Sequence, residues 1–277
     1  MKISIITINY NNKEGLRNTI ESVVTQTYTD YEYIIIDGGS NDGSIDIIRQ
    51  YADKISYWVS EPDKGIYNAM NKGIVQARGE YLNFMNSGDV FYNNETLASV
   101  VDTLDADIVS GKTYYEGGVH GFFKDKITML DLYRKTLPHQ ASFIKRNLFD
   151  KRKYDETLKI ASDWKFFVEA IVFDNCSFRN IDNIICAFDG KGISARIPFK
   201  FIDDEQEQIR RLLLPPRILA DYKYLYYANS PILELTPAFN RTIGFQKFIY
   251  KLIKVLISIH NKIGKKQKYS FGYESNL

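Results

Sequence analysis

The carboxylate in this sequence that is best suited to bind a ligand lies in a polar turn directly after a predicted buried strand. Residues 81–85 are Tyr-Leu-Asn-Phe-Met, and Asn86, Ser87, Gly88 and Asp89 follow them. In an open α/β sheet, ligands bind beyond the carboxyl ends of the strands, which would place Asp89 beside a cation or a phosphate. The same four residue types favour turns in any protein, so a plain turn is the alternative interpretation.

Three other side chains of suitable chemistry follow predicted strands. Tyr10 offers an aromatic face for a base, Asp37 a carboxylate for a base or ribose, and Lys64 a charge for phosphate. Because strand carboxyl ends meet at one edge of a parallel sheet, these residues are expected to bind a nucleotide together with Asp89. The glycines next to Asp37 would let the backbone approach that ligand closely. The chain has no Gly-x-Gly-x-x-Gly fingerprint and no Walker lysine motif, which argues against dinucleotide binding and against an ATPase.

The elements that must position these residues alternate at short spacing. Apolar, β-branched runs predict buried strands, and apolar residues at helical spacing predict the helices between them. The predicted strands are 2–8, 31–36, 55–59, 81–85, 108–110, 176–178 and 184–188, and one predicted helix covers about 66–77. This alternation predicts βαβ units, and hence an α/β fold with a mostly parallel sheet flanked by helices.

The composition fits a globular protein with a full core, since 44% of the 277 residues are hydrophobic and 14% are aromatic. The net charge of +2 is uneven, because residues 237–277 carry +7 and the rest of the chain −5. Basic surface therefore belongs to the tail, and no nucleic-acid partner is expected. Cys176 and Cys186 are too few for a disulfide framework and predict buried free thiols in an intracellular protein. No apolar run is long enough to span a bilayer.

Three segments at strand ends together resemble the opening motifs of family 2 glycosyltransferases. They are residues 5–11, 33–43 and 63–73. The resemblance covers roughly residues 1–195 and is closest to bacterial enzymes of polysaccharide assembly. It implies a GT-A fold, the Rossmann-like fold of nucleotide-diphospho-sugar transferases. It also implies a nucleotide-sugar donor, with a UDP-sugar as the first expectation.

The resemblance assigns roles by position. Tyr10 and Asp37 match residues that hold the uracil or other base and its ribose. Lys64 and Asn71 match positions near the base and the diphosphate. Ser87, within a further matched motif, joins the expected nucleotide-sugar-binding residues.

Residues 86–89 match the acidic metal motif of the family, which usually reads Asp-x-Asp-Asp. Asn86 and Gly88 replace two expected carboxylates and leave Asp89 as the single metal-binding candidate. One carboxylate can still hold Mg²⁺ or Mn²⁺ when substrate phosphates and waters complete the shell. The resemblance therefore implies a divalent metal bound through Asp89.

Asp163 is the candidate general base. It directly precedes an aromatic helix, where a carboxylate also stabilises the helix dipole without any catalytic role. The family has its general base in a Glu-Asp or Ser-Asp pair, which Ser162 and Asp163 match. A base on one side of the sugar and a leaving-group clamp on the other imply in-line displacement with inversion at the anomeric carbon. His139 and Gln140 could contact the acceptor or the diphosphate, and a structural histidine fits equally well.

Three regions are expected: a catalytic domain at 1–195, a helical packing segment at 196–236 and a basic amphipathic tail at 237–277. Residues 245–268 of the tail have lysines in one narrow helical sector and apolar residues over most of the rest. This pattern predicts a helix lying on an anionic membrane surface, or else a helix packed on the catalytic domain with its lysines in water. The first alternative places a cytoplasmic enzyme peripherally on the inner face of the cell membrane, where it would reach a glycan or lipid-linked acceptor.

Two alternative functions remain open from the sequence. A nucleotidyltransferase also uses a Gly-Ser turn with a nearby aspartate, but it needs two close metal-binding carboxylates, and residues 39–42 have no obvious second partner. A non-catalytic nucleotide-sugar-binding module would tolerate Asn86 and Gly88 in the metal motif.

Overall fold

The first part of the chain alternates strands and helices as predicted. The computed structural model describes residues 1–121, 126–190, 192, 196–227 and 243–263. Its first seven elements are β1 (Ile3–Asn9), α1 (Lys13–Val24), β2 (Tyr31–Asp37), α2 (Ser44–Gln50), β3 (Tyr57–Ser60), α3 (Ile66–Gln76) and β4 (Tyr81–Phe84). The predicted helix near 66–77 and the strand that precedes the polar turn are therefore both confirmed.

The second part of the chain is less regular. Its elements are β5 (Val90–Phe91), α4 (Thr96–Val100), β6 (Ile108–Tyr115), β7 (Gly118–His120), α5 (Met129–Arg134), β8 (Ser142–Lys145), α6 (Leu148–Lys151), α7 (Ser162–Val168), β9 (Phe178–Ala187), α8 (Phe199–Leu213), α9 (Pro216–Tyr227) and α10 (Ile243–Ile263). A π-helical turn, Glu169–Phe173, extends α7, and short 3-10 turns lie at Ala52–Lys54, Val101–Thr103 and His139–Ala141.

β9 corrects one prediction. The polar residues at 182 and 183 separate two predicted strands, whereas the structure has one strand from Phe178 to Ala187. β9 pairs in parallel with β6, and the register shifts on both sides of Lys112. The polar residues do not end β9 because Arg179 and Asp182 are exposed and paired: Arg179 with Asp105, and Asp182 with Lys112 Nζ (2.7 Å).

The strands form one mixed sheet in the order β3-β2-β1-β4-β8-β6-β9-β5, with β7 beside β6. β3, β2, β1 and β4 are parallel, whereas β8 is antiparallel to both β4 and β6. Asn9 lies opposite Asp37, and Asp37 lies opposite Ser60. The register therefore aligns the polar strand ends at one edge of the sheet.

Apolar side chains cover both faces of the sheet. Along β1, Ile6 and Ile8 belong to one buried cluster, while Ile3 and Ile5 belong to the other. Successive strand residues point to opposite faces, and a parallel strand covered by helices on both sides is apolar throughout. This explains why β1 reads as a continuous apolar run.

The chain divides into two compact units, Met1–Tyr222 and Lys223–Leu277. In the part of the chain that the structure describes, no helix has the length and apolar character needed to cross a membrane. Both cysteines are free thiols, with Cys186 buried and Cys176 partly exposed. The predicted tail helix is present from Ile243 to Ile263, and its expected extension to residue 268 lies outside the described residues, as does 228–236 of the packing segment.

Candidate active site

Asp37, at the carboxyl end of β2, has both carboxylate oxygens occupied by the protein. Oδ1 accepts hydrogen bonds from Asn9 Nδ2 (2.7 Å) and Ser40 Oγ (2.6 Å). Oδ2 accepts from the backbone N–H groups of Gly39 (3.2 Å) and Ser40 (2.9 Å) and from Ser60 Oγ (2.6 Å). Burial raises the pKa of Asp37, but the bonds from Ser40, Ser60 and Asn9 outweigh it and hold the pKa below its ordinary value. These hydrogen bonds join the ends of β1, β2 and β3 through the fully buried Asp37, and its predicted contact with a base or ribose stays a prediction.

The glycines after Asp37 make room for another loop. A Cβ at Gly38 would lie 2.4 Å from Asp63 Oδ2, and a Cβ at Gly39 would lie 3.2 Å from the backbone nitrogen of Pro62. Gly39 also has a φ of +80°, a left-handed conformation that glycine adopts without strain. The loop that follows β3 therefore packs on this turn and brings the Asp63 carboxylate to the strand-end edge.

Tyr10 and Lys64 lie at this edge with their functional groups accessible. Tyr10 is 66% exposed, and its ring edge lies 3.2 Å from the position of a Cβ at Gly38. Lys64 is exposed, and its ammonium has no hydrogen bond or ion pair with any described residue. Both side chains are thus available for the base and phosphate contacts expected of them.

Asn71 is buried in α3, and protein groups use its amide completely. Nδ2 donates to the carbonyl of Tyr154 (2.9 Å) and to Glu156 Oε1 (2.9 Å), while Oδ1 accepts from the N–H of Tyr154 (3.0 Å). Asn71 therefore fastens α3 to residues 154–156, and its predicted contact with the base or diphosphate stays a prediction.

Helix α1 holds the turn that follows β4. Thr19 Oγ1 donates to the carbonyl of Asp89 (2.7 Å) and accepts from the N–H of Gly88 (2.9 Å). Ser87 Oγ donates to the carbonyl of Asn12 (3.3 Å), which leaves its oxygen able to accept a hydrogen bond from a sugar hydroxyl.

Asp89 lies beside a second carboxylate that the sequence reasoning missed. The backbone N–H of Asp189, two residues beyond β9, donates to Asp89 Oδ1 (3.2 Å). Asp189 Oδ2 lies 3.1 Å from the position of a Cβ at Gly88. Burial raises the pKa of Asp89 to about 6, with the N–H of Asp189 and the charge of His139 lowering it and the charge of Asp189 raising it. Asp89 is therefore not the lone carboxylate that the sequence indicated.

This pair of carboxylates fits a divalent cation. Asp89 is 7% exposed, and no described residue donates a hydrogen bond to its Oδ2. A cation would relieve the repulsion between the two carboxylates, and oxygen ligands suit Mg²⁺ and Mn²⁺. Within the described ranges there is no group of three or more His, Cys, Asp or Glu side chains that could hold a metal. Substrate phosphates and waters would therefore have to complete the shell around Asp89 and Asp189.

Asp163, in the first turn of α7, is held by two partners from other parts of the chain. The Tyr67 hydroxyl donates to Oδ1 (3.0 Å), and His139 Nδ1 lies 3.2 Å from Oδ2. The other ring nitrogen of His139 lies 3.0 Å from Asn86 Nδ2. Tyr67, Asp163, His139 and Asn86 thus form a hydrogen-bonded chain from α3 to the turn after β4. Neither partner of the carboxylate belongs to α7, so Asp163 does more than stabilise its own helix end.

The charges along this chain are coupled. Burial lowers the pKa of His139, but the hydrogen bond to Asp163 and the charges of Asp163 and Asp89 outweigh it and raise the pKa above its ordinary value. Burial, with the Asp163 charge adding to it, raises the pKa of Tyr67 well above its ordinary value. Tyr67 therefore remains a hydrogen-bond donor to Asp163, and His139 positions the candidate base from the other side.

Helix α8 fixes the segment that begins α7. Glu205 accepts the backbone N–H groups of residues 159, 160 and 161, each at 2.8 Å. Arg210, which is buried, places its guanidinium 4.3 Å from the centroid of the Tyr133 ring and 5.4 Å from that of Trp164. Three backbone donors to one carboxylate make a strong junction, since hydrogen bonds to charged groups exceed neutral ones.

A cavity of about 520 Å³ adjoins the candidate base. Its walls include Val119, Lys135, Leu137, His139, Asp163, Trp164, Phe188 and Ile202. Half of the residues that line it are polar or charged, so the cavity offers a small molecule hydrogen-bond partners as well as apolar surface.

Four residues of the site escaped the sequence reasoning. Asp63 and Tyr67 lie inside the segment 63–73 that carries the family resemblance, so that segment was a signal for both. Asp189 and Glu205 had no such signal, because their partners lie 100 and about 45 positions away.

Comparisons with known proteins agree with this architecture. A family model described as Glycosyl transferase family 2 matches residues 4–171. An uncharacterised glycosyltransferase of Mycobacterium tuberculosis is 35% identical over 209 residues, covering 70% of this chain and 77% of that protein. A PGL/p-HBAD biosynthesis glycosyltransferase of Mycobacterium bovis is 30% identical over 176 residues, covering 59% of this chain and 67% of that protein.

Solved structures share the fold. S. aureus TarS 1-349 in complex with UDP-GlcNAc has a TM-score of 0.62 at 20% identity, covering 89% of this chain and 78% of that chain. The mannosyltransferase PcManGT from Pyrobaculum calidifontis, in complex with GDP-Man and Mn²⁺, has a TM-score of 0.56 at 15% identity, covering 96% of this chain and 88% of that chain. The family match sets aside the nucleotidyltransferase alternative, which the sequence had left open. The chain belongs to glycosyl transferase family 2 and is a glycosyltransferase with the expected GT-A fold.

Proposed function

We propose that this glycosyltransferase inverts the anomeric carbon as it moves a sugar from a nucleotide-diphosphate donor to a hydroxyl acceptor. The observation that carries the proposal is the hydrogen-bonded chain from Tyr67 through Asp163 and His139 to Asn86. It sets a carboxylate beside a cavity and joins it to the turn that holds the candidate metal ligand, Asp89. Because the candidate base Asp163 and the candidate leaving-group site at Asp89 are held in one hydrogen-bonded arrangement, the geometry favours in-line displacement.

The donor would lie along the carboxyl ends of β1 to β4. Tyr10 offers an exposed ring for the base, and Lys64 offers the diphosphate an ammonium that pairs with no described residue. Ser87 can accept a hydrogen bond from the donor sugar. The relatives of known fold bind UDP-GlcNAc and GDP-Man, which supports a UDP- or GDP-sugar, with a UDP-sugar as the first candidate.

Asp89 and Asp189 would hold a divalent cation between the protein and the diphosphate. Such a cation neutralises the charge that develops on the leaving group when it is bound. The protein's part is to keep both carboxylates in place, through Thr19 on the turn and through the N–H of Asp189. Lys64 supplements this charge from the opposite loop.

Asp163 would take the proton from the attacking hydroxyl of the acceptor. Tyr67 and His139 keep its carboxylate in one orientation, which keeps the base aligned with the substrate. The adjoining cavity has both apolar and polar walls, with Lys135, His139 and Gln206 among its polar groups, and it suits the acceptor sugar. The candidate acceptor is a glycan or a lipid-linked sugar of bacterial surface polysaccharide assembly, and a relative named for PGL/p-HBAD biosynthesis supports a biosynthetic role.

Stereochemistry and nucleotide release test this function. The full-length chain is incubated with UDP- and GDP-sugars in Mn²⁺ or in EDTA, and release of the nucleoside diphosphate is measured. The proposal expects release from one of these sugars, more slowly in EDTA. Because no acceptor is added, water takes the sugar, and NMR read before mutarotation should show an anomeric configuration opposite to that of the donor. No release from any sugar would favour the non-catalytic binding module, and a retained configuration would contradict the role of Asp163.

Helix α10 is the candidate membrane contact. Lys247, Lys251 and Lys254 are exposed in one helical sector, while apolar side chains such as Phe248 (61%) and Leu256 (55%) are exposed elsewhere on the helix. A helix of this kind lies in a membrane interface, and each lysine near an anionic surface contributes about 1 kcal/mol. Lys265, Lys266 and Lys268 lie outside the described residues. The enzyme would then act at the inner face of the cell membrane.

Vesicle sedimentation tests this contact. The full-length protein should co-sediment with anionic vesicles at low salt and much less with neutral vesicles. Replacing Lys247, Lys251 and Lys254 by Glu should lower the bound fraction at least tenfold while leaving UDP binding unchanged. Equal binding of both proteins to anionic vesicles would contradict a charge-driven membrane contact.

A further inference from the structure

A carboxylate that accepts a hydrogen bond from a base at the strand-end edge must have an unoccupied oxygen, and both oxygens of Asp37 are already occupied. Five donors already reach its two oxygens, and the side chain is fully buried. Its replacement must be a carboxylate with a free oxygen beside the exposed ring of Tyr10.

Asp63 meets this requirement. Its Oδ1 accepts the N–H of Gly65 (2.8 Å), while no described residue forms a hydrogen bond or ion pair with its Oδ2. Oδ2 lies 2.4 Å from the position of a Cβ at Gly38, and Tyr10 Cδ2 lies 3.2 Å from that same position. The missing side chain at Gly38 thus leaves a space that the free oxygen of Asp63 enters next to the Tyr10 ring.

An aromatic ring and a carboxylate at one point suit the edge of a nucleobase. The ring can stack on or pack against a base, and Oδ2 can accept a hydrogen bond from a ring N–H. Uracil and guanine have such an N–H between or beside carbonyl groups. Cytosine and adenine have an unprotonated ring nitrogen there, whose lone pair would face the carboxylate and leave it unpaired. A site built to accept a hydrogen bond strongly rejects a ligand that cannot donate one.

We propose that Asp63 Oδ2 accepts a hydrogen bond from a ring N–H of the donor's base and thereby selects uracil or guanine over cytosine and adenine. This inference rests on the proposed function, since it names the residue that chooses the nucleotide of the sugar donor. Gly38 contributes to this selection, because any side chain at position 38 would displace the Asp63 carboxylate.

Calorimetry of UDP, GDP, CDP and ADP binding to the full-length protein tests the inference. The wild-type protein should bind UDP or GDP at least about tenfold more tightly than CDP or ADP. Asp63→Asn should weaken the preferred nucleotide by about 10- to 100-fold, the scale of a hydrogen bond to a charged group. CDP should lose little or bind more tightly, because the amide of an asparagine can donate to the ring nitrogen of cytosine. Glu61→Gln is the matched control: it removes a carboxylate from the same loop that pairs with Lys72, and it should leave the preference unchanged.

A variant that moves the carboxylate from position 63 to position 38, called the relocation variant, tests whether the carboxylate itself, and not the shape of its loop, sets the nucleotide preference. Gly38 does not have a positive φ, so its backbone accepts a side chain, and the nearest obstruction is Asp63 itself. Asp63→Ala should lose the preference, and Gly38→Asp combined with Asp63→Ala should regain most of it by returning a carboxylate to the same space. Thermal melting checks that each variant is folded.

The outcomes separate this inference from the proposed function. Binding of no nucleoside diphosphate by the wild-type protein would contradict both. A wild-type preference for UDP or GDP that survives Asp63→Asn, or an equal loss for all four nucleotides, would overturn the role of Asp63 and leave the proposed function standing. A shift of preference toward CDP, with recovery in the relocation variant, would establish it.

Discussion

Replacing Asp163 by Asn is the sharpest test of the catalytic proposal. The substitution keeps the shape of the side chain and removes the charge that would accept the proton of the acceptor. Loss of a general base lowers the rate of transfer by about 10²- to 10⁴-fold, which corresponds to about 2.7 to 5.4 kcal/mol of activation free energy. Binding of UDP should change less than about twofold, because Tyr10 and Asp63, the residues proposed to bind the base, belong to other loops.

The same substitution has a predictable effect on stability. Asparagine can keep the hydrogen bond from Tyr67 to Oδ1, but its NH₂ group would face His139 Nδ1 and force the ring to change tautomer. Exchanging one charge-assisted bond for a neutral one should cost about 1 to 2 kcal/mol of unfolding free energy at neutral pH.

The pH dependence of that cost follows from His139. Burial lowers the pKa of His139 in the folded protein. The hydrogen bond and charge of Asp163, together with the charge of Asp89, outweigh burial and raise the pKa above its ordinary value. The resulting stabilisation is complete below the unfolded pKa of about 6.5 and is lost as the pH rises through the folded pKa. Asp163→Asn removes the larger of these charges, so its stability deficit should be greater at pH 5.5 than at pH 8.5.

Single-turnover transfer assays, UDP calorimetry and urea denaturation at the two pH values measure these effects. A fall in transfer of less than tenfold in the folded variant would remove Asp163 from the mechanism. A loss of activity that only follows the loss of folded protein would mean that Asp163 is structural. A stability deficit that does not grow at low pH would contradict the coupling to His139.

Three further substitutions test the surrounding site. Tyr67→Phe should lower kcat about tenfold with little change in the KM for the donor, because the hydroxyl only orients the base; a change confined to KM would refute this role. Asp89→Asn should abolish the gain in UDP affinity that Mn²⁺ produces and leave uridine binding unchanged by calorimetry; a wild-type UDP affinity that ignores Mn²⁺ would assign the diphosphate to Lys64 instead. Glu205→Gln should lower the unfolding free energy by about 1 to 2 kcal/mol in urea denaturation, whereas Asp204→Asn, exposed on the same helix, should stay within about 0.5 kcal/mol; equal effects would contradict the junction at residues 159–161.

Most of the early fold was predictable because its signals are local. β1 and β2 are buried on both faces and read as unbroken apolar runs, and α3 shows the helical spacing expected near residues 66–77. The later part was harder to predict. β9 continues through a polar stretch because its Arg179 and Asp182 pair with Asp105 and Lys112, and no feature of residues 178–187 alone reveals those partners.

The candidate site divides in the same way. The positions of Tyr10, Lys64, Asp89 and Asp163 at strand and helix ends could be predicted, since each follows directly from the local pattern. Whether a carboxylate has an oxygen left to bind a ligand could not be predicted, because this depends on which hydrogen-bond donors reach it from distant parts of the sequence. Asp37 has every oxygen occupied after the strands align, while Asp63 keeps one oxygen free.

The order of strands, helices and polar turns in this chain follows from periodicity and residue types read along the sequence. The family was indicated by the resemblance of residues 5–11, 33–43 and 63–73 and is shown by the family match. The chemistry of individual side chains follows from contacts between distant residues. Tyr67 and Asp163 are 96 positions apart, and Asp89 and Asp189 are 100 positions apart, yet each pair is in direct hydrogen-bond contact. Hydrogen-bond saturation and burial set which groups remain free to bind a ligand, and both arise only when the sheet and its loops are assembled.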